Sequence, residues 1–376
     1  MKIVKINLFQ FNTPFKYAFH SSHLHRLRAD SIVVELQFNN RISGYGESAP
    51  RLYVTGENCS SVVKTIKDHF AKILFHHEIN TLEDVEKTLN VIEKECLDRN
   101  HTAYNSALGA IDIALLDYIG KFYRIPVQNF LGPSNANSIF PSISIPFLQS
   151  KVIKELYHKL KDIEPTSLKI LVGKVERENV ERVKLIRSLF GDQMEIRIEA
   201  NGKWNLKQAI SNIEKLQRFN ISGVEQPVAA NDIEGMREIR HKTGIPVIVD
   251  ESMCSLSDAK NLIEMGACDI INIKVSKCGG LLRSKQIRNF ALSKNVRCQV
   301  GAHVGETDIL SKAGLHFAMT TQDLFCFEGY SQLLFKNSWK DHLNTQSKDT
   351  FAHCGLGVEP TDITLKPICS IDNSYV

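Results

Sequence analysis

The sequence predicts an α/β protein: a small α+β domain followed by a (β/α) barrel of eight strands and seven intervening helices. Three observations predict it. After Pro141, short β-like runs alternate strictly with amphipathic helical runs. From MEIRIEA onward the β-like runs recur about every 25 residues, the length of one βα unit in such a barrel. No GxGxxG motif turns the reading toward a dinucleotide fold. A doubly wound sheet shares the alternation, so the barrel rests on the count of units.

The first segment supplies the β part of the small domain. MKIVKINLFQF and DSIVVELQF alternate apolar and polar positions as strands do. Polar HSSHLHRLR between them is expected as a surface loop, and turn-rich NNRISGYGES closes the second strand. From Ser60 to Phe122 the period becomes helical, in SVVKTIKDHFAKIL, TLEDVEKTLNVIEKEC and TAYNSALGAIDIALLDYIGKF. The α+β domain is therefore expected over residues 1–132. The barrel, expected over 133–335, takes its strands from PSISIPF, SLKILV, MEIRIEA, SGVEQP, IPVIVDES, DIINIKVS, VRCQVGA and LFCFEG. The tail, 336–376, is less regular, and SKDTFAHCGLGVEPTDITLKP reads as an extended segment returning to the first domain.

Composition narrows the class. The chain has 376 residues, 43% apolar and 23% charged, which suits a globular enzyme and not a disordered chain. Its net charge of +4 is spread without a basic block, so no nucleic-acid partner is expected. No run approaches the ~18 apolar residues of a membrane span, and the start lacks a signal-peptide pattern. The nine cysteines are odd in number and contain no Cys-x-x-Cys, which points to reduced thiols in a cytoplasm.

Chemistry in a (β/α) barrel sits at the C-terminal ends of the strands. Three consecutive strands here end in carboxylates: Glu199, Glu225, and Asp250 with Glu251 next to it. The following strand carries Lys274. Buried acids repel one another unless a cation neutralises them, and a hard divalent ion such as Mg²⁺ takes oxygen ligands in this way. The alternative is internal salt bridges to Arg197, Lys169 or Lys274. A free lysine, with a pKa of ~10.4, is no base near neutral pH, but burial beside a metal and a second cation lowers it. Lys169 and Leu171 share parity on SLKILV and should point inward, with Ile170 and Val172 toward the helices.

These residues resemble the enolase superfamily, specifically its muconate-lactonizing subgroup, over nearly the whole chain. GYGESAP followed by VTGE resembles a loop of that family's first domain, and TPFKYAF resembles the opening of dipeptide epimerases. IEANGKW, VEQPV, PVIVDES and NIKVSKCGG resemble its successive metal and lysine motifs, in order and at matching intervals. VGAHVGETDIL, FEGY and GLGV resemble its closing segments. The resemblance implies a (β/α)7β TIM-like barrel with an N-terminal α+β capping domain, forming a homo-oligomer. It implies Mg²⁺, with Mn²⁺ as the alternative ion, at Glu199, Glu225 and Asp250, and Lys274 and Lys169 as catalytic groups. The reaction implied is removal of the proton α to the carboxylate of a small-molecule substrate through a metal-stabilised enediolate.

Substrate contacts implied by position are Arg26 and Arg28 on the first capping loop, where either side chain suits a second carboxylate. Tyr53 and Thr55 lie on the second capping loop, His303 and Glu306 at the end of the seventh strand, and Glu328 at the eighth. Two departures bear on the reaction. The first metal motif carries Glu199 where the family usually shows Asp. The second strand reads Lys169-Ile170-Leu171 where the family shows Lys-x-Lys, so the base on that face is replaced by an apolar side chain. One-base chemistry survives this change far better than two-base epimerisation. The expectation is thus a muconate cycloisomerase-like isomerase. The alternatives are a dipeptide epimerase, a lyase or dehydratase of the o-succinylbenzoate synthase type, and a metal-binding relative without turnover. Cys326-Phe327-Glu328 half-matches the Asp-x-Asp with which dipeptide epimerases bind an ammonium group, which counts against that alternative.

Overall fold

A computed structural model describes residues 1–20, 25–135, 139, 142–160, 165–329, 353–360 and 365–372. The first domain contributes strands β1 (Ile3–Phe11), β2 (Pro14–His20), β3 (His25–Arg28), β4 (Ser31–Phe38) and β5 (Ser43–Ser48). The barrel strands are β6 (Ser142–Ile145), β7 (Ser167–Leu171), β8 (Glu195–Glu199), β9 (Ile221–Glu225), β10 (Val247–Val249), β11 (Ile270–Ile273) and β12 (Arg297–Val300). The last strand is β13 (Leu365–Asp372).

β6 to β12 form one parallel sheet in sequence order, with helices between successive strands. Residues 325–328 close it. Phe325 N donates to the Cys298 carbonyl at 2.8 Å and Glu328 N to that of Val300 at 2.9 Å, while Ser142 N donates to the Phe327 carbonyl at 2.8 Å. The eighth segment thus joins both edges of the sheet, as the unit count predicts, and no edge is left unpaired. Apolar residues on the outward faces of these strands, such as Ile170, Ile198, Val224 and Ile271, are fully buried under the helices.

The first domain is an antiparallel sheet in the order β13-β1-β4-β5. β13 pairs with β1 from Lys5↔Asp372 to Phe11↔Leu365, so a strand late in the chain lies against the first one. Two sequence expectations are corrected here. HSSHLHRLR is not simply a loop: its residues 25–28 form β3, which pairs with β2 through Phe19↔Arg26 and Pro14↔Arg28. The buried apolar residue of this ribbon, Phe15, lies on β2, and polar HRLR of β3 gains its place by cross-strand pairing, so hydropathy conceals β3. NNRISGYGES contains β5, paired with β4 from Ile32↔Ser48 to Gln37↔Ser43. Its glycines are there because the strand presses on the helix Asn105–Tyr123: a Cβ at Gly44 would stand 2.1 Å from the Ala114 carbonyl oxygen, and one at Gly46 1.9 Å from that of Ala110.

Buried carboxylates tie the first domain to the barrel by capping helix N-termini, where backbone N–H groups lack partners and the dipole favours negative charge. Glu47, on β5, accepts from Thr307 N at 3.0 Å, Thr307 Oγ1 at 2.6 Å and Leu310 N at 3.1 Å, at the start of the helix Asp308–Met319. Asp112 accepts from Leu281 N at 2.6 Å and Leu282 N at 3.2 Å, at the start of Leu281–Ser293. Within the first domain, Glu57 accepts from Ser106 N and Ala107 N at 2.7 and 2.9 Å. The cap is therefore anchored on the last two βα units of the barrel. No helix among the described residues is long and apolar enough to cross a membrane.

His316 gives this junction an acid sensitivity. It is buried on Asp308–Met319, donates Nε2–H to the Leu356 carbonyl at 3.2 Å, and burial pushes its pKa down to about 4. The unfolded chain, with an ordinary histidine near 6.5, binds the proton first, so stability present above that pH is lost as pH falls toward 4. The full linkage is about 3 kcal/mol. Urea midpoints of the native protein and of His316→Gln should diverge between pH 7 and pH 4, the native protein losing more; parallel curves would refute the assignment.

Candidate active site

The carboxylate-bearing strand ends adjoin in space because the strands adjoin in the sheet. Leu171 pairs with Glu199, and Glu199 with Glu225, in register. Asp250 and Glu251 follow β10, and Lys274 follows β11. All lie at the C-terminal mouth of the barrel, and the parity argument holds for Lys169, whose side chain enters the interior.

Lys169 stands among three glutamates. Its Nζ is 3.0 Å from Glu199 Oε2, 3.1 Å from Glu225 Oε1 and 3.0 Å from Glu328 Oε1. Burial opposes its charge, but Glu199, Glu225 and Glu328 override that and hold the ammonium well above its ordinary value. Arg197, fully buried, donates to Glu328 and to Ser142 Oγ at 2.8 Å. Burial works against Glu328 too, yet Lys169 and Arg197 keep its carboxyl below the usual range. Glu225 is enclosed: Asn272 Nδ2 reaches Oε1 at 2.8 Å and Gln299 Nε2 reaches Oε2 at 3.0 Å.

The second group centres on Asp250. Lys274 Nζ donates to Asp250 Oδ2 at 2.5 Å, and Lys277 Nζ donates to Oδ1 at 2.8 Å. Burial is outweighed by these two lysines, and the Asp250 carboxyl is held far below its ordinary value. Burial likewise opposes the charge of Lys274, and Asp250, with Glu199 and Glu225 further off, reverses the effect and raises it.

Glu199, Asp250 and Glu251 each offer a carboxylate oxygen, all within 4.8 Å of one another. Burial pushes Glu199 up to about 7 and, with Asp250 beside it, pushes Glu251 up to about 8. Glu251 Oε2 is buried and accepts no hydrogen bond. Three converging hard oxygens fit a divalent cation of the Mg²⁺ type. The close triad contains Glu251; of the three acids expected as ligands, Glu199 and Asp250 belong to it, and Glu225, paired with Glu199 in register, faces Lys169, Asn272 and Gln299. The salt bridges foreseen as the alternative are also present, since Lys169, Arg197 and Lys274 all pair with these acids.

The residues expected to meet substrate divide. Arg28 is exposed and donates to the side chain and the carbonyl of Asn12, away from the acids. The side chain of Arg26, on β3, lies outside the described residues. Tyr53 is at the mouth: burial raises its phenol, and the charges of Lys274 and Arg51 pull it back down. Thr55, on the same short helix Leu52–Thr55, turns its hydroxyl toward Glu57. His303 is buried, donates Nδ1–H to the Ala49 carbonyl at 2.9 Å, and is held well below its ordinary value by burial and then by Lys274. Glu306 accepts from His303 N at 2.5 Å, and burial pushes it up to about 8. Glu328 is engaged by two cations, Lys169 and Arg197.

Sequence reasoning misses Lys277, Asn272, Gln299 and Arg51. The first three carry a usable signal: they are polar residues beside motif positions, in strands or turns otherwise apolar. Arg51, buried at the cap, donates to the carbonyls of Pro50 and Val304, both at 2.6 Å, which joins the second capping loop to the loop after β12.

Opposite Lys274 the surroundings change character. β7 and β11 are the second and sixth of eight staves and face each other across the barrel. Leu171, at the end of β7, packs with Phe11, Phe15 and Ala29 from the first domain, flanked by Phe147 and Val304. One side of the mouth carries a lysine and the other an apolar cluster.

Comparison with known proteins identifies the family. Residues 3–132 match the mandelate racemase/muconate lactonizing enzyme N-terminal domain, and residues 154–362 match the enolase C-terminal domain-like family. The chain is 29% identical to the N-succinyl-L-Arg/Lys racemase of Bacillus cereus, over 98% of each chain. It is 30% identical to the hydrophobic dipeptide epimerase of Enterococcus faecalis, over 79% of this chain and 81% of the other. The crystal structure of an Enterococcus faecalis dipeptide epimerase with Mg and L-Leu-L-Tyr superposes with a TM-score of 0.85, at 27% identity, over 95% of this chain and 99% of that one.

Proposed function

The chain belongs to the mandelate racemase/muconate lactonizing enzyme family of the enolase superfamily, and on that premise we propose a Mg²⁺-dependent isomerase that moves the α-proton of a small carboxylate substrate on one face, through Lys274. The observation that carries the proposal is the asymmetry of the mouth: Lys274 on one side, Leu171 among phenylalanines on the other.

Glu199, Asp250 and Glu251 converge to hold the ion, with Glu225 of the sequence expectation next to Glu199. Mg²⁺ bound there supplies positive charge beside the substrate carboxylate and so lowers the cost of the negative charge that proton removal creates. Lys274 accepts the proton, and the carboxylates that keep it protonated are the groups whose charge a cation would offset. Leu171, Phe15 and Phe147 exclude water from the opposite face and offer it no proton. Cycloisomerisation of the muconate type fits one such acid/base: in the ring-opening direction Lys274 takes the α-proton as the lactone C–O bond breaks, and in the ring-closing direction it returns a proton to the α-carbon as that bond forms.

The second reading is epimerisation, which the names of the relatives favour. It requires a base on the other face, and Lys169 is the lysine at hand; its ammonium is engaged by three glutamates. The engagement of Glu328 by Lys169 and Arg197 also removes the acid expected to bind a dipeptide ammonium.

Proton exchange separates the two. Muconates, N-acyl amino acids and dipeptides are incubated with protein and Mg²⁺ in D₂O and followed by NMR. The expected result is Mg²⁺-dependent deuteration or cyclisation with one stereochemical course; exchange that yields both enantiomers establishes the epimerase instead. Leu171→Lys should not install epimerisation. It puts an ammonium among Phe11, Phe15 and Ala29 and should lower unfolding free energy by about 2–4 kcal/mol, read from urea midpoints; a stable variant that racemises substrate would reverse the conclusion.

A further inference from the structure

Lys277 is a buried cation to which the mechanism above gives no task. It has no exposed surface, and all three of its ammonium protons are placed: on Asp250 Oδ1 at 2.8 Å, on the Asp250 carbonyl at 2.6 Å and on the Asn272 carbonyl at 2.9 Å. Burying an ammonium is costly unless it is fully bonded. Two of its three bonds fall on one residue, at the backbone and at the carboxylate, and such a grip fixes the side-chain torsions of Asp250. The turn that carries Lys277 is itself closed, with Cys278 N donating to the Lys274 carbonyl and Gly280 N to that of Val275, both at 2.9 Å. Lys274 and Lys277 thus approach Asp250 from one short segment and take different oxygens.

We propose that Lys277 is a positioning residue: it occupies Oδ1 of Asp250, so that the oxygen this residue offers to a divalent cation is Oδ2, from which the cation would displace the Lys274 ammonium. The proposal rests on the reading that Asp250 is a ligand. A carboxylate limited to one oxygen keeps coordination positions open for the substrate, and its fixed orientation places the cation near Lys274. Groups that orient a ligand in this way typically account for about 10–100-fold in metal affinity.

The test is Mn²⁺ binding to the full-length protein, followed by EPR, for the native chain, Lys277→Met and Lys277→Arg. Lys285→Met, which removes a cation bonded to the Phe130 carbonyl outside the site, serves as control. Lys277→Met should lose about 10–100-fold in Mn²⁺ affinity and change the spectrum of the bound ion, Lys277→Arg should recover part of the loss, and the control should match the native protein. A folded Lys277→Met with native affinity and spectrum overturns the proposal. So does a crystal structure of the native protein with Mn²⁺ in which both Asp250 oxygens bind the ion or Lys277 has left Oδ1; this second measurement holds even if Lys277→Met fails to fold. A native protein that takes up no Mn²⁺ overturns the metal reading and this proposal together, whereas native uptake with an unaffected Lys277→Met overturns this proposal alone.

Discussion

Lys274→Ala should abolish Mg²⁺-dependent α-proton exchange into D₂O, a loss on the order of 10³-fold, the usual contribution of a positioned general base. The protein should still fold and still take up Mn²⁺, because Asp250 keeps its bond to Lys277 and the Glu199, Asp250 and Glu251 oxygens stay in place. Exchange at the native rate would remove Lys274 from the mechanism and leave Lys169 as the next lysine to test. The two variants should differ in kind. Lys169→Met leaves Glu199, Glu225 and Glu328 facing one another without their shared cation, so its first effect is on stability and ion binding.

The second large effect is on the barrel interior. Arg197→Met should destabilise the protein by up to about 3–5 kcal/mol, the cost of removing one partner of a buried ion pair, with Lys169 left to share part of the charge of Glu328. Arg197 has no exposed surface, donates to Glu328 and Ser142, and stands 3.8 Å from Glu225 Oε2. Urea unfolding at pH 7 measures the change. Arg177→Met, which removes an exposed i,i+4 pair with Glu181, should leave the midpoint unmoved. Equal behaviour of the two variants would mean that solvent reaches the barrel centre and that the carboxylates there are not confined.

Much of the site was legible in the sequence because barrel topology converts order along the chain into adjacency in space. Strands that follow one another are hydrogen-bonded, so Glu199, Glu225 and Asp250 at successive strand ends had to meet, and Lys274 had to stand beside Asp250. Strand parity put Lys169 inside by the same logic. What parity cannot show is the partner each side chain takes when several charges converge. Glu225 and Glu251 illustrate this: the first is surrounded by Lys169, Asn272 and Gln299, the second brings a carboxylate oxygen within 4.8 Å of those of Glu199 and Asp250. The choice depends on the competition between ion pairs, amide hydrogen bonds and burial, which is a property of the assembled site.

The first domain was read less well, for a related reason. Gly44 and Gly46 signal a turn locally but serve a close approach of β5 to a helix about sixty residues away, and β3, polar HRLR, has no hydrophobic period to reveal its pairing with β2. By itself, then, the sequence determined the barrel, the identity of its strand-end acids and the apolar residue at position 171, since periodicity and residue chemistry are local. Only the tertiary structure decided that Leu171 lies in an apolar cluster contributed by the other domain, that Arg28 is drawn off to Asn12, and that Lys277 grips Asp250. Those outcomes come from groups far apart in the chain, and their energies depend on burial and distance, which exist only once the chain has folded.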